Sequence, residues 1–163
     1  MLDIPLKTGL YEELPKEINY FYDAELTDFI LLPSKSPRID KVNSINISVD
    51  VLSTKLIKTQ VMKSYEGALL TGYKLDVECS IKEKIIYESI SKTDVIHVPY
   101  YDTKTRNFYI VLPEIYNGEK VEKLIQKKEF AIRSYLVDAY PIIKSKNSIY
   151  RYLNLILYLE FLI

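Results

Sequence analysis

The sequence predicts a mainly β fold: an antiparallel β-sandwich or partly open barrel with one or two short helices. Three observations carry that expectation. Apolar and polar side chains alternate with period two over several long segments. Tyrosine occurs 15 times and recurs with Ile and Val, residues that fit a pleated, half-buried surface better than a helix face. Turn signals at Glu66-Gly67, Thr71-Gly72, Asp102–Arg106, Asn117-Gly118 and Lys144–Ser148 leave short connections and no βαβ alternation.

The elements follow in chain order. Residues 1–32, punctuated by Pro5 and Pro15, read as an N-terminal arm or extra elements packed on the core; within them Phe21–Leu32 suits a strand, a helix or an arm. Residues 33–163 form the β domain. Ser36-Pro37-Arg38-Ile39-Asp40 offers a capping serine, a proline for the first helical position and an acid for the first turn, which predicts a short helix over Pro37–Asn43. Ile45–Val51 alternates cleanly, with Ile45, Ile47, Val49 and Val51 on one face.

Tyr73–Tyr87 alternates as well, except that Glu83 falls on the apolar face. At 15 residues it is long for one strand, so a bulge or bend is expected near Lys82–Lys84. Further strands are expected at Asp94–Val98, Asn107–Leu112, Phe130–Val137 and Ile149–Ile163. In the last, Leu153, Leu155, Leu157, Leu159 and Phe161 share one face, and Tyr152, Asn154, Ile156, Tyr158 and Glu160 share a partly covered one. Val121, Leu124, Ile125 and Lys128 mark a weak amphipathic helix within Gly118–Lys128.

Composition narrows the function. The 163 residues suffice for one domain with its own core. Lys+Arg is 22 and Asp+Glu is 22, so 22 − 22 leaves no surplus cation for a phosphate backbone, and nucleic acid is not an expected partner. One cysteine, Cys79, excludes an intramolecular disulfide framework and a cysteine metal cluster. The N-terminus lacks the basic start and apolar run of a signal peptide. Ile149–Ile163 carries Arg151, Asn154 and Glu160 and falls short of the roughly 20 apolar residues a spanning helix needs, so no membrane span and a cytoplasmic setting are expected.

Catalytic vocabulary is sparse. His97 is the one side chain that titrates near neutrality unaided. A Cys79–His97 thiol dyad requires their strands to bring them together; the simpler reading is a packed thiol and a strand histidine. Asp76 and Glu78 lie two apart on one strand face, as do Lys82 and Lys84; the two carboxylates could hold calcium or act as an acid/base pair, but the rows read more simply as a charge ladder on a wet sheet face. Lys120, Lys123, Lys127 and Lys128 are interrupted by Glu119, Glu122 and Glu129, a solvated face rather than a phosphate track. Tyr100 and Tyr101, expected in a loop, are the candidate interaction surface, because a ring with a polar tip suits protein interfaces and sugar stacking alike. The tyrosines of the C-terminal strand read as core. No catalytic, cofactor-binding or metal site is expected.

From Pro33 onward the order of segments resembles the SPOCS domain (DUF3794) of clostridial sporulation and spore-coat proteins. The matching phrases are Ser36–Val42, Ile45–Val51 and Leu52–Thr59; then Leu70-Thr71-Gly72-Tyr73-Lys74-Leu75-Asp76-Val77-Glu78 with Ile81–Tyr87; then Val95–Tyr100, Phe108–Pro113, Ser134–Val137 and Ser148–Leu153. Cys79 stands where the family has glycine, and Pro99-Tyr100 where it has proline–phenylalanine. Longer coat members add a C-terminal LysM module, which the residues through Ile163 do not contain, so those members' partner is not carried over. The resemblance implies a non-enzymatic structural or protein-interaction domain linked to sporulation or spore-envelope (coat) assembly, located in the mother cell or the spore envelope. Partners would be other proteins or the chain itself, through the sheet edge next to the C-terminal strand. A glycan-binding module using exposed tyrosines is the alternative, with a thiol enzyme behind it.

Overall fold

The computed structural model describes residues 7–8, 15–65, 67, 69–90 and 97–163. Two antiparallel sheets face each other as an open sandwich, not closed into a barrel. The larger sheet has the order β1 (Lys7–Thr8), β3 (Ile39–Lys58), β6 (Tyr73–Ser89) and β7 (His97–Leu112). The smaller has β10 (Phe130–Ser145), β11 (Ser148–Phe161) and β2 (Phe21–Leu31). Two small hairpins, β4 (Met62–Lys63) with β5 (Leu69–Leu70) and β8 (Ile115–Tyr116) with β9 (Glu119–Lys120), decorate the ends. Among the described residues only β1 runs parallel to its neighbour, matching Lys7 with Asn46.

Period-two patterning built the interior. Leu75, Val77, Cys79, Ile81 and Ile85 of β6 are buried against Leu153, Leu155, Leu157 and Ile149 of β11, the middle strand of the facing sheet. Each fully buried aliphatic side chain contributes roughly 1.5–3 kcal/mol over leaving it wet, which explains why alternation decides the fold. Pro99 and Pro141 lie in β7 and β10, both edge strands, where a missing N–H costs no ladder bond. At Thr71-Gly72 the chain turns into β6. Gly72 has φ +86°, and a Cβ there would come within 2.7 Å of the Thr59 carbonyl oxygen, so only glycine fits.

Several expectations are corrected. The helix over Pro37–Asn43 is absent: β3 already begins at Ile39, because Ile39 and Val42 pair with the far end of β6 and bury their side chains there, outweighing the local capping signals. The bulge expected near Lys82–Lys84 is also absent. β6 runs unbroken, and the irregularities fall in the partner strand β3, at Ile39/Lys41, Val42/Ser44 and Val51/Ser53. Asp102–Arg106 is not a turn but the middle of β7, in continuous register with Glu83–Cys79. Of the strand expected at Asp94–Val98, residues 94–96 lie outside the described residues, and β7 starts at His97.

The helix expected within Gly118–Lys128 is the single turn and a half of α1 (Val121–Gln126), which buries Val121 and Leu124. Phe21–Leu32 resolves as β2, registered against β11 from Leu31–Ser148 to Phe21–Tyr158. Because β11 is flanked on both sides, the C-terminal strand presents no edge; those of its sheet belong to β2 and β10. Among the described residues no helix is long and apolar enough to cross a membrane.

Candidate interaction surfaces

A charged cluster lies between the sheets. Arg151 sits on the apolar face of β11, Glu83 on that of β6 and Asp28 on that of β2, each in phase with buried neighbours such as Leu153, Ile81 and Ile30. Arg151 is 1% exposed and Glu83 3%. One guanidinium nitrogen, Nη2, donates both to Glu83 Oε1 and, at 2.8 Å, to Asp28 Oδ2. From β7, Lys104 approaches Asp28 at 2.9 Å and Arg106 at 3.3 Å, while Asp102 lies 3.6 Å from Lys104.

Electrostatics separate the two acids. Burial acts to raise the Asp28 carboxyl, but the Lys104 hydrogen bond and the charges of Arg151, Lys104 and Arg106 outweigh it and hold Asp28 below its ordinary range. Burial pushes the Glu83 carboxyl up; Arg151 opposes this, while Asp102 and Asp28 add to it. Three cations face three carboxylates, from the buried Arg151–Glu83 pair out to the partly exposed Lys104 and Arg106 at the rim, an arrangement that ties the two sheets together.

The expected site residues fall apart geometrically. Cys79 pairs with Arg106 and His97 with Glu88, so nine positions of β6 separate the two, roughly 30 Å of strand. No Cys79–His97 dyad forms. Cys79 is wholly buried, and desolvation followed by the charge of Glu78 raises its thiol to about 11, leaving it protonated at neutral pH. Asp76 accepts from Asn107 at 2.9 Å, Glu78 from Ser53 at 2.8 Å, and Lys82 meets Asp50 at 2.6 Å, so these side chains ladder across the outer face of the larger sheet. Among the described residues no cluster of three or more His, Cys, Asp or Glu is placed to hold a metal ion.

Tyr100 and Tyr101 are not in a loop. As neighbours in β7 they project to opposite faces, so they cannot form one platform. Tyr100 is half-buried against the core. Tyr101 is exposed, stands 5.6 Å beneath the Lys84 ammonium, and lines an open groove of about 370 Å³ with Asn46, Ser48, Lys82, Lys84 and Thr103. A second cleft, about 240 Å³, lies at the end of the sandwich where Tyr116 stacks on Phe161 at 4.4 Å and Tyr20 meets both edge-on.

The surface that sequence reading missed is the outer face of the smaller sheet. Registration places Phe29, Tyr150 and Ile142 in one row and Thr27, Tyr152 and Tyr140 in the next. Phe29 is 60% exposed, Leu31 61% and Tyr140 52%. The available signal was that β2 is apolar in both phases, Ala24 and Ile30 inward and Phe21, Phe29 and Leu31 outward. An outward apolar run of this kind marks a contact surface more often than a solvated one.

No family model matches the chain, and neither does a curated protein or a solved structure. The resemblance to the SPOCS domain therefore rests on the ordered phrases themselves.

Proposed function

We propose that this chain is a non-enzymatic protein-interaction module of the sporulation and spore-envelope type, docking through the outer face of β2, β11 and β10. The observation that carries the docking is the exposure of Phe29 and Leu31 on β2 and of Tyr140 and Ile142 on β10, flanking Tyr150 and Tyr152 of β11 on one face. Its spore-envelope setting comes from the resemblance alone. A buried, protonated thiol far from the one histidine supports a non-catalytic role.

Site-specific photocrosslinking in the native cell tests it. A photoreactive phenylalanine at Phe29 is expected to give discrete protein adducts, and the same group at Asp50, on the opposite sheet, none. Adducts at Asp50 alone, or at neither position, contradict the docking face.

A glycan-binding reading is favoured by one observation, the groove floored by Tyr101 with amide, hydroxyl and ammonium groups around it. Titrating the labelled protein with peptidoglycan fragments would shift Tyr101, Lys84 and Ser48 amides if it holds, and leave them unmoved if it does not.

A further inference from the structure

Resting on that docking face, the geometry points to the kind of partner it takes: we infer a basic, amphipathic segment of another protein, with apolar side chains set beside Lys or Arg. The apolar rows, Phe29–Tyr150–Ile142 and Thr27–Tyr152–Tyr140, are followed along the strands by Glu25–Asn154–Asp138 and then Asp23–Ile156–Tyr135. Successive rows on one face are two residues apart, about 7 Å. Carboxylates thus begin one step beyond the exposed Tyr140.

Glu25 shares a hydrogen bond with the Tyr152 phenol, and Arg133, in the row beyond Asp23, is engaged with Glu160 at 2.7 Å. Among the described residues no Lys or Arg forms an ion pair with Asp23, Glu25 or Asp138, whereas the acids of the opposite sheet and of the interior mostly meet partners. One cation on the apolar end, Lys144, is held 5.6 Å over the Tyr150 ring. A zero net charge overall makes this local negative band a property of the face rather than of the whole molecule. An apolar patch beside an acidic band that lacks ion pairs selects a partner that buries aliphatic groups and brings cations about 7 Å away, one turn or so along an amphipathic helix. A second copy of this chain offers no row of cations: stacked with like ends together it sets acid against acid, and stacked head to tail it sets acid against the apolar rows and the single Lys144.

The test uses the full, isotope-labelled chain and two short helical peptides of leucine and alanine, one bearing lysine and its twin bearing glutamate. The lysine peptide is expected to shift amides of β2, β11 and β10, and to weaken several-fold with added salt. Glu25→Gln with Asp138→Asn, which keeps size and fold, is expected to weaken it about fivefold. Equal binding of the glutamate peptide at this face overturns the basic partner while leaving the docking face standing. No binding, shifts confined to the other sheet, or concentration-dependent self-association through this face also overturn it, and crosslinking at Phe29 decides the docking separately.

Discussion

Arg151 of β11 hydrogen-bonds Glu83 of β6 across the interior, 68 positions apart in the chain and both almost wholly buried. With Asp28 as its second acceptor, the guanidinium ties three strands of two sheets through one nitrogen. Its Nε and Nη1, and Glu83 Oε2, find no protein partner among the described residues. Desolvation of such a pair offsets much of its attraction, so the cluster serves alignment of the sheets more than net stability.

Breaking the cluster on one side is therefore worse than removing it. Arg151→Leu leaves Glu83 buried without its cation and should cost about 3–5 kcal/mol, a fall in Tm of about 10 °C or more for a domain this size. Arg151→Leu with Glu83→Leu should recover most of that loss. Thermal and urea unfolding of the two single variants and the double one checks this; an additive double variant would contradict it.

Acid titration of stability should show two opposed slopes. Asp28 is held below its unfolded value of 3.8, so it stabilises the fold above that value and the contribution is lost as pH falls through its folded value. Glu83 is held above 4.5, so the folded chain binds its proton more readily and stability declines as pH rises from 4.5 through its folded value. Asp28→Asn should flatten the acid limb, and Glu83→Gln the decline above pH 4.5, in urea melts at stepped pH.

Cys79 should be inert in the native protein. Buried and raised to about 11, it offers no thiolate and no path to reagent. Thiol-reactive dye should label it only after denaturant unfolds the chain; rapid labelling of the folded protein would restore the thiol-enzyme reading.

Much of this fold was legible because burial enforces period two. The faces of β6 and β11 follow directly from Leu75–Ile81 and Leu153–Phe161, since a one-residue slip would expose every buried side chain. Glu83 was legible as a charged residue in phase with the apolar face, but its meaning was not: it stays on the inner face, without a bulge, because Arg151 lies opposite, and that contact spans the chain. Asp102–Arg106 misled for the same reason, its alternating charges resembling a turn while Lys104 and Arg106 reach Asp28 on another sheet. At Pro37–Asn43 local capping signals lost to pairing with the end of β6. The docking face was hidden because Phe21–Leu32 carries apolar residues in both phases, and period alone does not say which strand lies beside it.

The most direct measurement of the docking account is the size of the native assembly in extract from cells that make this protein. The wild-type chain should elute well above its 19.1 kDa monomer, and a Phe29→Ser, Leu31→Ser, Tyr140→Ser variant of unchanged Tm should move to the monomer position. A wild-type chain already monomeric there, or a variant that elutes with the wild type, would contradict it.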